Sequence, residues 1–315
     1  MDKPYLITTG DYNGIGPEII LKAAAAGYLK DCVVLGSYSV FEYYEEMLKT
    51  GAKWSYIEKD DIDFMIIENK NIKPDIKPGE CTPESGYFSL KMLDNAIGLL
   101  KNGYSKHLIT APLSKKAVSY HEKDFIGHTE YLAKAFNTEQ YSMMLANETF
   151  RVVLVTTHVS IRELPELITK KRVEIAIKNS HDFLQKTVDN RGMAVCALNP
   201  HAGEDGLLGS EEIDIITPVI EKAKQDGIKV SGPFPADSLF KTVYNNPYGI
   251  YIAMYHDQGL GPLKMVSKGA GVNVTLGLPI FRISVDHGTA YDIAGKGVAS
   301  PDSLISAIQI AKSYN

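Results

Sequence analysis

Cysteine is scarce in this chain of 315 residues: there are three, Cys32, Cys81 and Cys196, widely spaced and without a CxxC pair. An odd, dispersed set excludes a disulfide framework or thiolate cluster and reads as reduced thiols in a cytoplasmic protein. Long apolar runs are missing too, none approaching the roughly 18 residues of a membrane span. The first residues, MDKPYLITTGD, lead almost directly into a strand pattern, so neither secretion nor membrane anchoring is expected. Charge blocks are also lacking. With a net charge of -5 and interleaved signs, the chain offers no general nucleic-acid surface, though a local cluster could still bind a small anion.

What is present is ordinary globular composition, 44% hydrophobic and 23% charged, in a chain long enough for two domains. Strand-like runs at Tyr5–Thr9, Cys32–Gly36, Met65–Ile67 and His107–Thr110 alternate with helical patterns at 40–49 and 87–100. That alternation predicts an α/β fold with mostly parallel, doubly wound sheets. Between the first strand and helix lies GDYNGIGPE, where Pro17 suits the first helical position. Its glycine spacing is not GxGxxG, and a tight turn that lets helix pack on sheet explains it equally well.

Met254 to Lys264, MYHDQGLGPLK, follows the apolar run Tyr251–Met254 and is expected to be a loop at a strand's carboxyl end, where open α/β sheets bind ligands. His256 alone would more often be a satisfied loop histidine. Two further histidines, His158 after Phe150–Thr156 and His201 after Met193–Leu198, also follow strand-like runs. Three imidazoles with an open position suit Zn²⁺, Co²⁺ or a similar Lewis acid, but they lie far apart in sequence and the reading needs their strands in one sheet. DFIGHTEYL places His128 and Thr129 at a helix start, with Thr129 able to cap and free N–H groups facing an anion. Lys264, Asn273 and Arg282, along SKGAGVNVTLGLPIFR, combine a point charge, an amide and a guanidinium fork, as a phosphate or carboxylate requires. Asp237 falls in the proline turn GPFPADSL, a common place for a purely structural Asp. A glycine-rich loop after Asp286 could lie close to an adenosine, with Asp292 accepting from ribose hydroxyls.

These blocks, TGDYNGIGPE, GHTE, TTHVS, NPHAGEDG, PADSLF, MYHDQGL, GVNVTLGLP and SVDHGTA, run nearly end to end in one order. In them the chain resembles the 4-hydroxythreonine-4-phosphate dehydrogenases, including relatives that act on 4-phosphorylated threonate and erythronate. GIGPE and HGTAYDIAGKGVASP also look like the isocitrate and isopropylmalate dehydrogenases, which share a two-domain α/β/α architecture. The resemblance implies one domain from 1–112 plus 276–315, holding part of the NAD site. It implies a second from 113–275, with metal and substrate residues and dimer contacts. It further implies that His158, His201 and His256 bind a divalent metal (Zn²⁺, Co²⁺ or Mg²⁺), and that His128, Thr129, Lys264, Asn273 and Arg282 contact the phosphorylated substrate. Gly288, Thr289, Ala290, Asp292, Ile293 and Ser300 would hold NAD or NADP, and the site would lie at a homodimer interface.

The implied reaction is oxidation of a secondary alcohol with loss of CO₂, converting 4-phosphohydroxy-L-threonine to 3-amino-2-oxopropyl phosphate in pyridoxal 5'-phosphate biosynthesis. Asp237 and Asp257 are both candidates for the base. The stretch 58–80 is compact and GLGPLK departs from the pair many relatives carry before the lysine, so 4-phospho-D-threonate or D-erythronate stands as the alternative substrate. More remote alternatives are a phosphate acyltransferase and a non-catalytic phospho-ligand sensor.

Overall fold

A computed structural model describes residues 4–56, 63–68, 73–266 and 271–314. Part of the compact 58–80 stretch and the start of the glycine-rich passage after Val266 therefore lie outside the described residues. The chain forms two compact units, Met1–Thr138 with Leu278–Ser313, and Glu139–Gly277 with the last two residues. The expected first crossing, after residue 112, moves to residue 138.

The first unit opens with β1 (Tyr5–Thr8), α1 (Gly16–Ala25), β2 (Cys32–Gly36) and α2 (Tyr38–Leu48). It continues through β3 (Trp54–Ser55), β4 (Phe64–Glu68), α3 (Pro83–Lys101), β5 (His107–Thr110), α4 (Lys115–Ser119) and α5 (His128–Ala135). The second unit holds β6 (Ser142–Ala146), β7 (Arg151–Leu154), α6 (Leu164–Leu167), α7 (Lys170–Lys186) and β8 (Met193–Cys196). Then come α8 (Thr217–Gln225), β9 (Val230–Phe234), α9 (Ala236–Leu239), β10 (Ile250–Ala253), α10 (His256–Val266) and β11 (Val272–Leu276). The chain returns to the first unit with β12 (Phe281–Val285) and α11 (Asp302–Ser313).

In the first unit the strand order is β3-β4-β2-β1-β5-β12, every pair parallel. Strands covered on both faces carry continuous apolar runs, as in the fully buried CVVLG of β2. Pro17 is the second residue of α1, in its first turn, and the Thr82 hydroxyl caps α3 by accepting from Ser85 N–H. α4 belongs here because it packs tightly on α3: a side chain at Gly86 would meet Ala117 O at 2.1 Å, so only glycine permits the approach. That contact carries the first unit past residue 112.

The second unit's sheet runs β11-β6-β7-β10-β8-β9. β11, β6 and β7 are antiparallel neighbours, while β7, β10, β8 and β9 are parallel. Its core gathers Phe150, Val152, Leu154, Cys196, Tyr251 and Leu260.

Several local expectations change. Met254 to Lys264 is not a loop, since His256 begins α10 directly after β10. Thr129 does not cap α5; Gly127 occupies the N-cap and Thr129 sits inside the first turn. Asp237 lies on α9, with Pro235 at its N-cap, not in a proline turn. A wider π turn, Glu212–Ile216, leads into α8. Asn273 stands on β11, where glycine-rich surroundings had hidden a VNVTL strand. Among the described residues no helix is long and apolar enough to cross a membrane, and Cys32, Cys81 and Cys196 are unpaired.

Candidate active site

The parallel order β7-β10-β8-β9 brings four sequence-predicted residues to one edge of the second unit's sheet. His158 follows β7, His256 follows β10, His201 follows β8 and Asp237 follows β9, each past a carboxyl end. Carboxyl ends of adjacent parallel strands form the crevice where α/β proteins bind ligands. Hydrogen bonds hold these ends in place. The Thr156 hydroxyl donates to Met254 O at 2.7 Å, joining the His158 and His256 segments. Gln258 accepts from Met254 N–H and donates to Ala197 O, both at 2.7 Å, joining the His256 and His201 segments. Neither Thr156 nor Gln258 was singled out in the sequence, because a bond between strand ends leaves no local pattern.

The His158 and His256 ring centres are 5.6 Å apart, a separation that suits two ligands of one ion. His256 Nδ1 lies 2.7 Å from Asp257 Oδ1. An imidazole whose Nδ1–H donates to a carboxylate presents a basic Nε2, the arrangement metal-ligating histidines use. Asp257 is thereby an orienting group for His256. Among the described residues no three His, Cys, Asp or Glu side chains group closely enough to hold a metal, so His201 does not join the pair within this chain. The pair's donor chemistry and spacing nonetheless suit a divalent ion.

His201 begins an unusual turn. From His201 to Asp205 five consecutive residues take left-handed backbone angles, with φ of 53°, 55°, 80°, 46° and 54°. Only Gly203 adopts them without penalty, while each of the other four costs about 1–2 kcal/mol. NPHAGEDG shows where a glycine turn falls but not that His, Ala, Glu and Asp share its hand.

In the first unit Arg282, on β12, is 3% exposed. Its guanidinium donates to Thr110 Oγ1 at 2.9 Å and to Thr129 Oγ1 at 3.4 Å. Burial pushes the Arg282 pKa down to about 10. Burial, then the charges of Arg282 and Lys115, hold His128 well below its ordinary pKa, so its imidazole is neutral at pH 7. Arg282, Thr129 and His128 thus lie together with donors that suit an anion, joined by Thr110, which sequence reasoning passed over as the last residue of a strand. Lys264, on the last turns of α10, and Asn273, on β11, lie in the second unit.

The segment Gly288–Ser300 is held through its main chain. Glu18, fully buried on α1, accepts from Ala299 N–H at 2.8 Å and Gly297 N–H at 3.3 Å. One turn on, Lys22 donates to Gly297 O at 2.9 Å and Ala299 O at 2.6 Å. Ile15 N–H donates to Thr289 O at 2.9 Å, and the Tyr291 hydroxyl to buried Asp11 at 2.6 Å. The two glycine-rich loops noted in the sequence therefore lie against each other. Gly288, Asp292 and Ser300 remain exposed, Thr289, Ala290 and Ile293 half-buried, and the exposed Asp292 carboxylate suits the ribose hydroxyls of a dinucleotide.

Strand-end histidines, a buried arginine and an exposed acid on a glycine loop are residue types an α/β dehydrogenase uses, and the relatives of this chain are named dehydrogenases. Residues 28–311 match the family model of pyridoxal phosphate biosynthetic protein PdxA, and the chain belongs to that family. It is 38% identical to a D-threonate 4-phosphate dehydrogenase of Pectobacterium atrosepticum, covering 99% of each chain. It is also 38% identical to a 4-hydroxythreonine-4-phosphate dehydrogenase of Desulforapulum autotrophicum, covering 97% of this chain and 93% of that one. The solved 4-hydroxythreonine-4-phosphate dehydrogenase of Klebsiella pneumoniae superposes with a TM-score of 0.89 at 35% identity, covering 99% and 97% of the two chains. A β-decarboxylating dehydrogenase of Thermococcus kodakarensis, at 15% identity and a TM-score of 0.53, shares the fold.

Proposed function

We propose that the protein is an NAD(P)- and divalent-metal-dependent dehydrogenase that oxidises the CH–OH group of a phosphorylated hydroxy acid and releases CO₂. The observation that carries this reading is the row of His158, His256 and His201 at the ends of adjacent parallel strands, in a chain whose relatives are named dehydrogenases of 4-phosphorylated substrates.

His158, His201 and His256 would hold the ion, Zn²⁺, Co²⁺ or Mg²⁺, which when bound supplies a Lewis acid that lowers the pKa of an alcohol. Asp257 keeps His256 in the tautomer that turns Nε2 outward. With Asp257 so engaged, Asp237, exposed beyond β9, takes the hydroxyl proton. Arg282, with Thr110 and Thr129, holds the anionic end of the substrate in the first unit, and neutral His128 offers it a hydrogen bond without adding charge. Lys264 and Asn273, a cation and an amide, are the second unit's own candidates for a phosphorylated ligand. Gly288, Thr289, Ala290, Asp292, Ile293 and Ser300 would hold NAD or NADP, which accepts the hydride when bound. The carbinol carbon becomes a ketone, and the β-keto acid then loses CO₂. The site is read as lying at a homodimer interface, in which His201 of the partner subunit completes the histidine set.

The substrate is 4-phosphohydroxy-L-threonine or 4-phospho-D-threonate. Identity to relatives of both names supports both readings, 40% to a D-threonate 4-phosphate type from Oceanobacillus iheyensis and 38% to the hydroxythreonine type. NADH formation in the presence of Co²⁺ from these two compounds and 4-phospho-D-erythronate tests the proposal and ranks the substrates. Turnover of one with kcat/KM at least tenfold above the others is expected, whereas binding of all three with no NADH would overturn it.

A further inference from the structure

A left-handed run containing four residues other than glycine persists only where its surroundings leave it no alternative, and Glu212 supplies the restraint. The residue is 2% exposed. Oε1 accepts from Leu198 N–H at 2.7 Å and Asn199 N–H at 2.8 Å, gripping the chain just before the turn. Oε2 accepts from Asn199 Nδ2 at 3.0 Å and stands 2.8 Å from where a side chain on Gly203 would begin. Asn199 Nδ2 donates as well to Glu211 Oε2 at 2.6 Å. Among the described residues no lysine or arginine forms an ion pair with Glu212. A buried carboxylate held by main-chain N–H groups and an amide, directly against the middle of a strained turn, sets the turn's path. His201 is the turn's first residue and its side chain is exposed.

We propose that Glu212 is a positioning residue for His201: by holding residues 201–205 left-handed it fixes where the imidazole leaves the end of β8, and so sets the protein's affinity for a divalent ion. The inference rests on the reading of His201 as a metal ligand that completes the histidine set across a homodimer. A generic loop anchor would protect stability alone, whereas a positioning residue also controls ion affinity in protein that remains folded.

Co²⁺ titrated into the full chain, followed by its visible absorption band and by calorimetry, separates the two. Glu212→Gln places an N–H group among three N–H donors, so Co²⁺ affinity is expected to fall ten- to a hundredfold with the circular dichroism spectrum retained. Gly203→Ala, which leaves every charge in place but drives a methyl against the carboxylate, should give a similar loss. It decides the matter if Glu212→Gln does not fold. Wild-type Co²⁺ affinity in either folded variant would overturn the proposal. His201→Ala tests the underlying reading: if it binds Co²⁺ as tightly as wild type, the metal assignment itself fails. If His201→Ala loses Co²⁺ while Glu212→Gln keeps it, only the positioning role falls.

Discussion

Replacing Ala202 by glycine should make the protein more stable, although glycine ordinarily weakens a fold. Ala202 is held at φ 55° and ψ 39°, where an L-residue carries about 1–2 kcal/mol of steric cost. Glycine removes that cost but loses roughly 0.5–1 kcal/mol more backbone entropy on folding than alanine. The net gain is about 0.5–1 kcal/mol, since the half-buried methyl contributes little packing. At roughly 2–4 °C per kcal/mol for a domain of 150–250 residues, the transition of the second unit should rise by about 2 °C. Urea midpoints at unchanged slope provide the assay. The control is Ala223→Gly, in the right-handed helix α8, which should cost about 1 kcal/mol. If Ala202→Gly destabilises as Ala223→Gly does, the turn is not left-handed in solution and the reasoning built on it fails.

Other perturbations test the rest of the site. Burial depresses the His128 pKa, so below the ordinary value near 6.5 the unfolded chain takes up a proton that the folded chain refuses. Stability should therefore be full above about pH 6.5 and decline as pH falls below it, and His128→Asn should flatten that slope between pH 7 and pH 5. Arg282→Lys keeps the charge but loses the fork to Thr110 and Thr129. KM for the phosphorylated substrate should rise about tenfold or more with kcat less affected, and an unchanged KM would remove Arg282 from the anion subsite. Glu18→Gln weakens the grip on Gly297 and Ala299; their amides should exchange faster and KM for NAD should rise several-fold, while unaltered exchange would contradict the clamp. Asp237→Asn should lower kcat by about 10²–10⁴ with Co²⁺ binding intact, whereas Asp257→Asn should weaken Co²⁺ binding. The reverse pattern would exchange their roles.

The regular parts of the fold were legible because parallel strands buried on both faces announce themselves as unbroken apolar runs. β2 and β5 begin and end where the sequence predicts. β11 was hidden because VNVTL lies among glycines and its partner β6 is remote in sequence. His158, His201 and His256 were each readable as strand-end residues, but that β7, β10 and β8 are neighbours is a matter of strand order, which no single stretch of sequence encodes. The sequence leaves Asp257 open as a base, and its 2.7 Å contact to His256 depends on α10 beginning at that histidine, where a loop is expected. The buried Arg282 is the converse case: a residue type that is usually solvated turns inward on β12, where two of its N–H groups donate to Thr110 and Thr129.

The pairing of Glu18 and Lys22 with Gly297 and Ala299 has a further implication. A carboxylate that takes two N–H groups and an ammonium that takes the two matching carbonyls do, from a helix, what the edge of a neighbouring strand would do. The path of this segment is thereby independent of its own side chains. Its outward residues, Lys296, Val298 and Ser300, can be exchanged over evolution while the main chain keeps its course, so a loop with the proposed cofactor role could change its nucleotide preference there without being rebuilt.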